Sequence, residues 1–165
     1  MNILSRVSII LLVCFSCIGC DQGTKYLASE NLPRNQTSSY LFDSLRVEYT
    51  ENTGAFLGVG SNLPEGVRFA VFTVMVGLFL FGFLCYLVFY RGNTALNLVA
   101  LSLMFAGGAS NLVDRATNDG AVVDFLNVGI GPLRTGIFNV ADIAIVLGVV
   151  LVFYATYIVG EEEQS

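Results

Sequence analysis

Four long apolar segments constrain this chain more than any other feature of its 165 residues. They lie at about 7–27, 67–90, 95–113 and 137–159. The last three reach the roughly 20 residues that a helix needs to cross about 30 Å of hydrocarbon; the first does so only if its polar end lies at the interface. Backbone polar groups in lipid must be paired within the protein, so the sequence predicts four transmembrane helices.

The composition agrees with a membrane protein and argues against several other classes. Hydrophobic residues make up 55% of the chain and charged residues 13%, whereas a soluble domain has roughly a quarter charged residues. The net charge of −5, without any basic run, argues against nucleic-acid binding. The chain has no histidine, and its four cysteines lie in apolar stretches. We interpret these cysteines as small buried hydrophobes, since neither a disulfide framework nor a zinc site fits their spacing.

The charges leave the orientation in the membrane open. Four spans place both termini and the short turn 91–94 on one side, and the longer segments 28–66 and 114–136 on the other. Only Arg6 and Arg91 lie on the side of the termini, while six cations lie opposite. The positive-inside rule applied plainly favours the inverted orientation, but Arg6 flanks the first span, which often dominates.

The segment 28–66 is predicted to form one or two short strands with turns at the membrane surface. Its apolar residues alternate in part, and glycines follow them as breakers. The alternating positions are Leu41, Phe42, Leu45, Val47 and Tyr49. The chain is therefore expected to be one all-α membrane domain with a small β-containing cap, ending in a solvated tail at 160–165.

Two aspartates lie in apolar surroundings at the edges of these segments. Asp124 sits in Val-Val-Asp-Phe, and Asp142 opens the last apolar run. A carboxylate at the mouth of a span is costly unless it is paired, hydrated or used, and two close carboxylates would share a proton. The alternative for Asp142 is a residue of the first helical turn, stabilised by the helix dipole and close to Asn139.

Two further polar patterns have both a structural and a functional interpretation. Asp21 and Lys25 are four residues apart and face the same side of a helix, as a surface ion pair or as a support beneath a site. Asn52 and Gly54 belong to a flexible loop, which is a plain turn or a segment that contacts an extended substrate.

A third pattern lies at the end of the third apolar segment. Gly107-Gly108 allow close helix packing in the membrane. Asn111, Asp114 and Arg115 then share one helical face. They form a structural polar cluster at the membrane surface or part of an active site, and adjacency does not imply a contact between Asp114 and Arg115.

In this order, the patterns resemble the lipoprotein signal peptidases (the signal peptidase II family). The matching motifs are Asp21-Gln-x-x-Lys25, Asn52-x-Gly54-Ala55, Gly107-Gly108 with Asn111-x-x-Asp114-Arg115, Val122-Val-Asp124-Phe125 and Phe138-Asn-x-Ala-Asp142. Each motif is weak alone, but the ordered set with four spans is specific. One departure is Ser110, where the family usually has glycine.

The resemblance implies a bacterial membrane aspartic endopeptidase that cleaves prolipoproteins on the N-terminal side of the diacylglyceryl-modified cysteine. It implies a catalytic pair, Asp124 and Asp142, with no metal and no cofactor, and it makes Asp114 an anchor although Asp114 is a rival for one catalytic role. The supporting residues that carry over are Asp21, Lys25, Asn52, Gly54, Asn111, Asp114, Arg115 and Asn139.

The resemblance also implies a place in the cell and a set of partners. The expected location is the bacterial cytoplasmic (inner) membrane, with cytoplasmic termini and the site at the outer face. The expected partners are lipid-modified prolipoproteins, membrane lipids and cyclic-peptide inhibitors, without nucleic acid. The segment 28–66 would cradle the substrate, and 55–60 would form a mobile tip over the site.

Other classes of function remain as alternatives. A small transporter or channel subunit would also use intramembrane carboxylates. A structural assembly subunit would tolerate neutralisation of both aspartates. The stretch 16–20 after an apolar run also looks like a lipoprotein signal, although Cys17 stands where such signals usually have leucine.

Overall fold

The computed structural model describes residues 1–55 and 58–159, and four helices in this part of the chain are long and apolar enough to cross a membrane. They are α1 (Ile3–Asn31), α2 (Glu65–Phe89), α3 (Ala95–Thr117) and α4 (Val140–Phe153, continued by the π-helical Tyr154–Val159). This confirms the predicted fold class. The predicted first span was too short, because α1 has 29 residues.

Three of these helices begin at a residue whose side chain caps the first turn. Asn2 accepts a hydrogen bond from Ser5 N at 2.8 Å, and Thr94 accepts one from Asn97 N at 3.2 Å. Asn139 starts α4 in the same way. Such caps satisfy backbone N–H groups that have no partner within the helix.

The helix α2 contains a π-helical stretch, Phe69–Met75. A π-helix has i→i+5 hydrogen bonds, so it is wider than an α-helix, and such stretches are frequent at functional sites. Here it lies near the start of α2, at the end of the bundle where the polar motifs also lie.

The connecting segments form one antiparallel sheet with the strand order β1-β2-β3-β4. The strands are β1 (Thr37–Tyr40), β2 (Leu45–Asn52), β3 (Val122–Ile130) and β4 (Leu133–Arg134). The strands in 28–66 were predicted, but the nine-residue β3 was not.

The predicted alternation was wrong at Leu41 and Phe42. Both residues lie in the turn between β1 and β2 with left-handed φ angles of 51° and 55°, and both are exposed. The alternating pattern therefore begins only at Leu45, where β2 begins.

The sheet carries two motif residues to the same place. Antiparallel pairing of β2 with β3 sets Thr50 opposite Asp124 and Asn52 opposite Val122. Diagonal neighbours on one face of a sheet lie within reach of each other, so this register brings Asn52 to Asp124.

In the bundle, α3 packs against all three other helices. The backbone of α3 approaches α4 closely, because a Cβ atom on Gly107 would lie 2.4 Å from Ala141 O. A Cβ atom on Gly148 would lie 2.6 Å from Ala100 O. The small residues thus permit the close packing that the sequence predicts.

The prediction for the cysteines was right only in part. Cys17 is buried and Cys14 and Cys85 are half-buried, but Cys20 is exposed on α1. In a membrane span an exposed thiol faces lipid or a neighbouring molecule. The predicted solvated tail at 160–165 lies outside the described residues.

Candidate active site

Asp124 lies on β3 and is held by two amide side chains. Asn139 Nδ2 donates to its Oδ1 at 2.7 Å, and Asn52 Nδ2 donates to its Oδ2 at 3.1 Å. The residue is only 3% exposed. Each oxygen therefore has one fixed donor, which sets the orientation of the carboxyl group.

Asp142 lies in the first turn of α4 and forms a capping box with Asn139. Asp142 N donates to Asn139 Oδ1 at 3.0 Å, and Asn139 N donates to Asp142 Oδ2 at 3.2 Å. The expectation of a first-turn residue at Asp142 is therefore correct. Its other oxygen, Oδ1, accepts from Asn111 Nδ2 at 3.2 Å. The cap therefore uses only one of the two carboxylate oxygens.

Asn111 on α3 connects the two aspartates to the residues beneath them. Its Oδ1 accepts from Asn139 Nδ2 at 3.1 Å and from Lys25 Nζ at 2.8 Å. Since Asn139 also holds Asp124, the two carboxylates are joined through the two asparagines.

Lys25 on α1 is almost fully buried and makes three polar contacts. Its Nζ lies 2.7 Å from Asp21 Oδ2, 2.8 Å from Asp114 Oδ2 and 2.8 Å from Asn111 Oδ1. An ammonium group has three donors, so all of them are used. These contacts indicate a structural cation and not a proton carrier.

Asp114 on α3 faces this ammonium group. Its Oδ2 accepts from Val123 N at 3.1 Å, and its Oδ1 accepts from Gln22 Nε2 at 2.7 Å. It thereby fixes β3 next to Asp124, and it does not line the cavity described below. This geometry fits the anchoring role better than the catalytic one.

Asp21 on α1 is fully buried and connects α1 to the start of α4. Its Oδ1 accepts from Ala141 N at 2.8 Å, and its Oδ2 accepts from Ser110 Oγ at 2.7 Å. Ser110 also accepts from Gln22 Nε2 at 3.1 Å. Sequence reasoning did not propose Ser110 or Gln22 as site residues, although Gln22 lies inside the first motif and Ser110 was noted as a departure.

Hydrogen bonds at Gly54 hold the start of the loop after β2 in place. Gly54 N donates to Asn52 Oδ1 at 3.0 Å, and Arg115 Nη2 donates to Gly54 O at 2.5 Å. A Cβ atom on Gly54 would lie 2.7 Å from Gly58 C, so glycine is required there. The predicted mobile tip at 55–60 includes Phe56 and Leu57, which lie outside the described residues.

Both aspartates line one cavity of about 330 Å³. Most of its other walls are apolar side chains from α2, α3 and α4 and from the segment before α4, namely Phe72, Val76, Leu112, Ile137, Ile145 and Val146. Asn52, Asn111 and Arg115 also reach it. Four of the motif residues do not line the cavity and affect it only through the residues that they hold in place, namely Asp21, Lys25, Asp114 and Asn139.

Burial raises the pKa of the Asp124 carboxyl to about 6. The hydrogen bonds from Asn52 and Asn139 oppose this rise, and the charge of Asp142 adds to it. Desolvation disfavours the charged form, and a nearby carboxylate disfavours it further. The site therefore holds a carboxyl group whose pKa is closer to neutral pH than that of a free aspartate, which suits general acid–base chemistry.

Hydrogen bonds and ion pairs therefore join the polar residues of all the motifs in one connected cluster. Within residues 1–55 and 58–159, no group of three His, Cys, Asp or Glu side chains is placed to hold a metal ion. The family model for signal peptidase (SPase) II matches residues 13–158 of this chain.

This chain belongs to the signal peptidase II family.

Relatives from several bacteria carry the name lipoprotein signal peptidase. The protein of Thermodesulfovibrio yellowstonii is 37% identical over 134 residues, which cover 81% of this chain and 84% of the relative. The protein of Moorella thermoacetica is 31% identical over 153 residues, which cover 93% of this chain and 95% of the relative.

Two solved structures of bacterial membrane enzymes have a fold similar to that of this chain. A bacterial membrane enzyme solved at 2.3 Å resolution matches 91% of this chain and 88% of its own, with a TM-score of 0.78 and 26% identity. A second bacterial membrane enzyme, solved at 1.9 Å, matches 92% of this chain and 94% of its own with a TM-score of 0.75 and 24% identity.

Proposed function

We propose that this chain is an aspartic peptidase of the signal peptidase II kind, which removes signal peptides from prolipoproteins. Asp124 and Asp142 act as its catalytic pair, and cleavage falls on the N-terminal side of the diacylglyceryl-modified cysteine. The observation that carries the proposal is the meeting of these two carboxyl groups, from different elements, in one largely apolar cavity. The function as a transporter or channel subunit is not favoured, since the chain belongs to a peptidase family.

The chemistry needs one proton shared by the pair. The ionised carboxylate takes a proton from water, whose oxygen attacks the carbonyl carbon of the scissile peptide bond. The protonated carboxyl donates to the carbonyl oxygen and stabilises the charge that develops there. The tetrahedral intermediate then collapses, the C–N bond breaks, and the amine leaves with a proton from the pair. The shared proton is not assigned to either carboxyl group.

The walls of the cavity suit a substrate that arrives within the bilayer. Phe72 and Val76 belong to α2, and Ile145 and Val146 belong to α4. Both helices pack on α3 with the cavity between them. A lipid-modified peptide can therefore enter sideways, with its apolar parts against these side chains and its scissile bond at the carboxyl pair. A cyclic-peptide inhibitor would occupy the same space.

The proposed setting is the bacterial cytoplasmic membrane, with cytoplasmic termini and the site at the outer face. The site lies at the end of the bundle where α1 ends and α4 begins, opposite the start of α1 and the end of α4. A fluorescent protein fused after Ser165 should fluoresce in living bacteria, and alkaline phosphatase fused there should be inactive. Active phosphatase with a dark fluorescent fusion would reverse the orientation.

The function is tested with purified protein in detergent and a diacylglyceryl-modified prolipoprotein, followed by its mobility on a gel. Wild type should cleave before the modified cysteine. Asp124→Asn and Asp142→Asn should fold and not cleave, and Asp114→Asn should lose activity or stability in part. Glu30→Gln, on an exposed residue of α1, is the matched control and should cleave like wild type.

Equal activity of a folded Asp124→Asn variant and wild type would remove Asp124 from the pair. Failure of folded wild type to cleave would remove the peptidase function itself, and proton flux in liposomes would then be measured.

A further inference from the structure

A second cavity of about 580 Å³ lies between the start of α2 and the end of α3. Its lining contains charged residues of both signs. Glu65 and Arg68 belong to α2. Arg115 belongs to the end of α3, and Asp119 belongs to the turn after it. Of these, Arg115 also lines the cavity of the carboxyl pair.

The two arginines of this cavity have no carboxylate partner among the described residues. Arg68 Nη1 donates to Ser61 O at 2.9 Å, and Arg115 uses Nη2 and Nη1 for Gly54 O and Asn111 O. These are contacts to backbone carbonyls, so neither guanidinium group is paired directly with a carboxylate. A half-buried guanidinium group favours a phosphate or carboxylate as its partner.

Two buried polar atoms on the lining also lack a partner. Thr73 Oγ1 and Arg115 Nε are inaccessible to solvent and make no hydrogen bond to any described part of the chain. Threonine in a helix usually donates to a carbonyl of the preceding turn, which Thr73 does not do. Buried polar atoms are paired in nearly all proteins, so both would donate to an external oxygen acceptor after a side-chain shift that opens them to the cavity.

The position of the cavity identifies the source of that acceptor. It lies where α2 begins and α3 ends, which is the depth of the lipid headgroups for helices of this length. Phe69 lines it and is 57% exposed on the outer surface of the bundle. The exposed carboxylates Glu65 and Asp119 complete the lining with negative charge.

We propose that this cavity binds the headgroup of a phospholipid that carries both a phosphate and a primary ammonium group. The phosphate accepts hydrogen bonds from Arg68, Arg115 Nε and Thr73 Oγ1. The ammonium group donates to Glu65 and Asp119. The acyl chains lie along the surface of α2 next to Phe69.

The test uses the full chain in detergent, without substrate, and short-chain phospholipids with six-carbon acyl chains. Dissociation constants are measured by native mass spectrometry for phosphatidylethanolamine, phosphatidylcholine, phosphatidylglycerol and inorganic phosphate. The ethanolamine lipid should bind most tightly, since choline has no N–H donors, glycerol has no positive charge, and free phosphate has neither ammonium nor acyl chains.

Variants on both sides of the cavity give the second part of the test. Arg68→Gln should weaken binding of the ethanolamine lipid about tenfold, as expected for loss of one hydrogen bond to a charged group. Glu65→Gln and Asp119→Asn should instead reduce the preference for ethanolamine over choline. Arg91→Gln, an exposed change at the opposite end of the bundle, is the matched control and should bind like wild type.

Tightest binding of the glycerol lipid or of free phosphate, or equal binding of all the lipids, would overturn the proposal. So would unchanged affinities in Arg68→Gln. If Arg68→Gln does not fold, retention of the full ethanolamine preference in both Glu65→Gln and Asp119→Asn overturns it. The measurement does not involve cleavage, so its outcome is independent of the proposed peptidase function.

Discussion

Asp21 Oδ1 accepts a hydrogen bond of 2.8 Å from the backbone N–H of Ala141, so the first helix holds the first turn of the last one. Ala141 directly precedes Asp142. The place of one proposed catalytic carboxylate thus depends on Asp21, which lies 120 positions before Ala141 and outside the cavity.

Asp21→Ala should therefore lower both stability and turnover. It removes the acceptor for Ala141 N and one of two carboxylates on Lys25, and breaking a buried ion pair costs about 3–5 kcal/mol. For a chain of this size the melting temperature should fall by roughly 10 °C. Thermal unfolding in detergent and the cleavage rate measure the two effects.

Asp21→Asn is the informative companion, because an amide oxygen still accepts from Ala141 N. It should keep more turnover than Asp21→Ala while losing the charge opposite Lys25. Identical melting temperatures for Asp21→Ala and wild type would show that this contact does not hold α4.

The raised pKa of Asp124 predicts how stability depends on pH. Its rise from 3.8 to about 6 means that the folded chain binds this proton more tightly than the unfolded chain. Stability is therefore lost as the pH rises from about 4 to about 6, and above that the ionised carboxylate costs roughly 3 kcal/mol. Because Asp124→Asn cannot ionise, its free energy of unfolding relative to wild type should increase by that amount between pH 4 and 7.

Unfolding titrations at several pH values measure this difference. Asp43→Asn is the control, because the Arg46 guanidinium holds the pKa of Asp43 below its usual range. Its stability relative to wild type should change only below about pH 4. A difference for Asp124→Asn that stays constant from pH 4 to 7 would contradict burial as the dominant effect.

Asn139→Asp separates the start of helix α4 from the geometry of the site. Aspartate caps a helix as well as asparagine does, so helix content should be unchanged. In the wild type, Asn139 Nδ2 donates a hydrogen bond of 2.7 Å to Asp124 Oδ1. The new carboxylate cannot donate this hydrogen bond, and it adds a second negative charge beside Asp124. The cleavage rate should fall at least about 100-fold, by analogy with loss of a single hydrogen bond in an active site.

Circular dichroism and the gel assay together check this prediction. Asn139→Ala is the comparison, since it loses the cap as well and should be less stable by about 1 kcal/mol. Full activity of Asn139→Asp would show that the contact with Asp124 is dispensable.

The loop 54–60 is predicted to move during turnover. In a chain whose native cysteines are replaced, a cross-linker between Val59→Cys and Val67→Cys would tie the loop to α2. Turnover should then slow and recover when the linker is cleaved. Each single cysteine variant treated with the same reagent is the control, and unchanged turnover in the linked protein would exclude a lid role.

The polar motifs were readable from the sequence because their chemistry is local. Asp21 and Lys25 lie four apart on one helix and do form an ion pair of 2.7 Å. The place of Asp142 in the first turn of a helix, near Asn139, was likewise predicted, whereas the cap that Asn139 forms was not. The roles of Asp124 and Asp142 came from family resemblance, since their meeting depends on the sheet and on the helix packing.

Contacts between elements far apart in the sequence could not be predicted from the sequence. Ser110 bonds to Asp21 only because α1 and α3 pack side by side. The strand β3 has no clear alternation, because Val122, Asp124 and Phe125 are all buried. Leu41 and Phe42 looked like strand residues, yet the chain turns there.

Asn139 both caps α4 and holds Asp124, and these two roles restrict which residues can replace it. Its position requires an acceptor for the cap and a donor for Asp124 on a short side chain that is fully buried. Selection for a well-formed membrane helix and selection for a working enzyme therefore act on the same amide. Few substitutions at this position would therefore be tolerated, whichever of the two requirements is under selection.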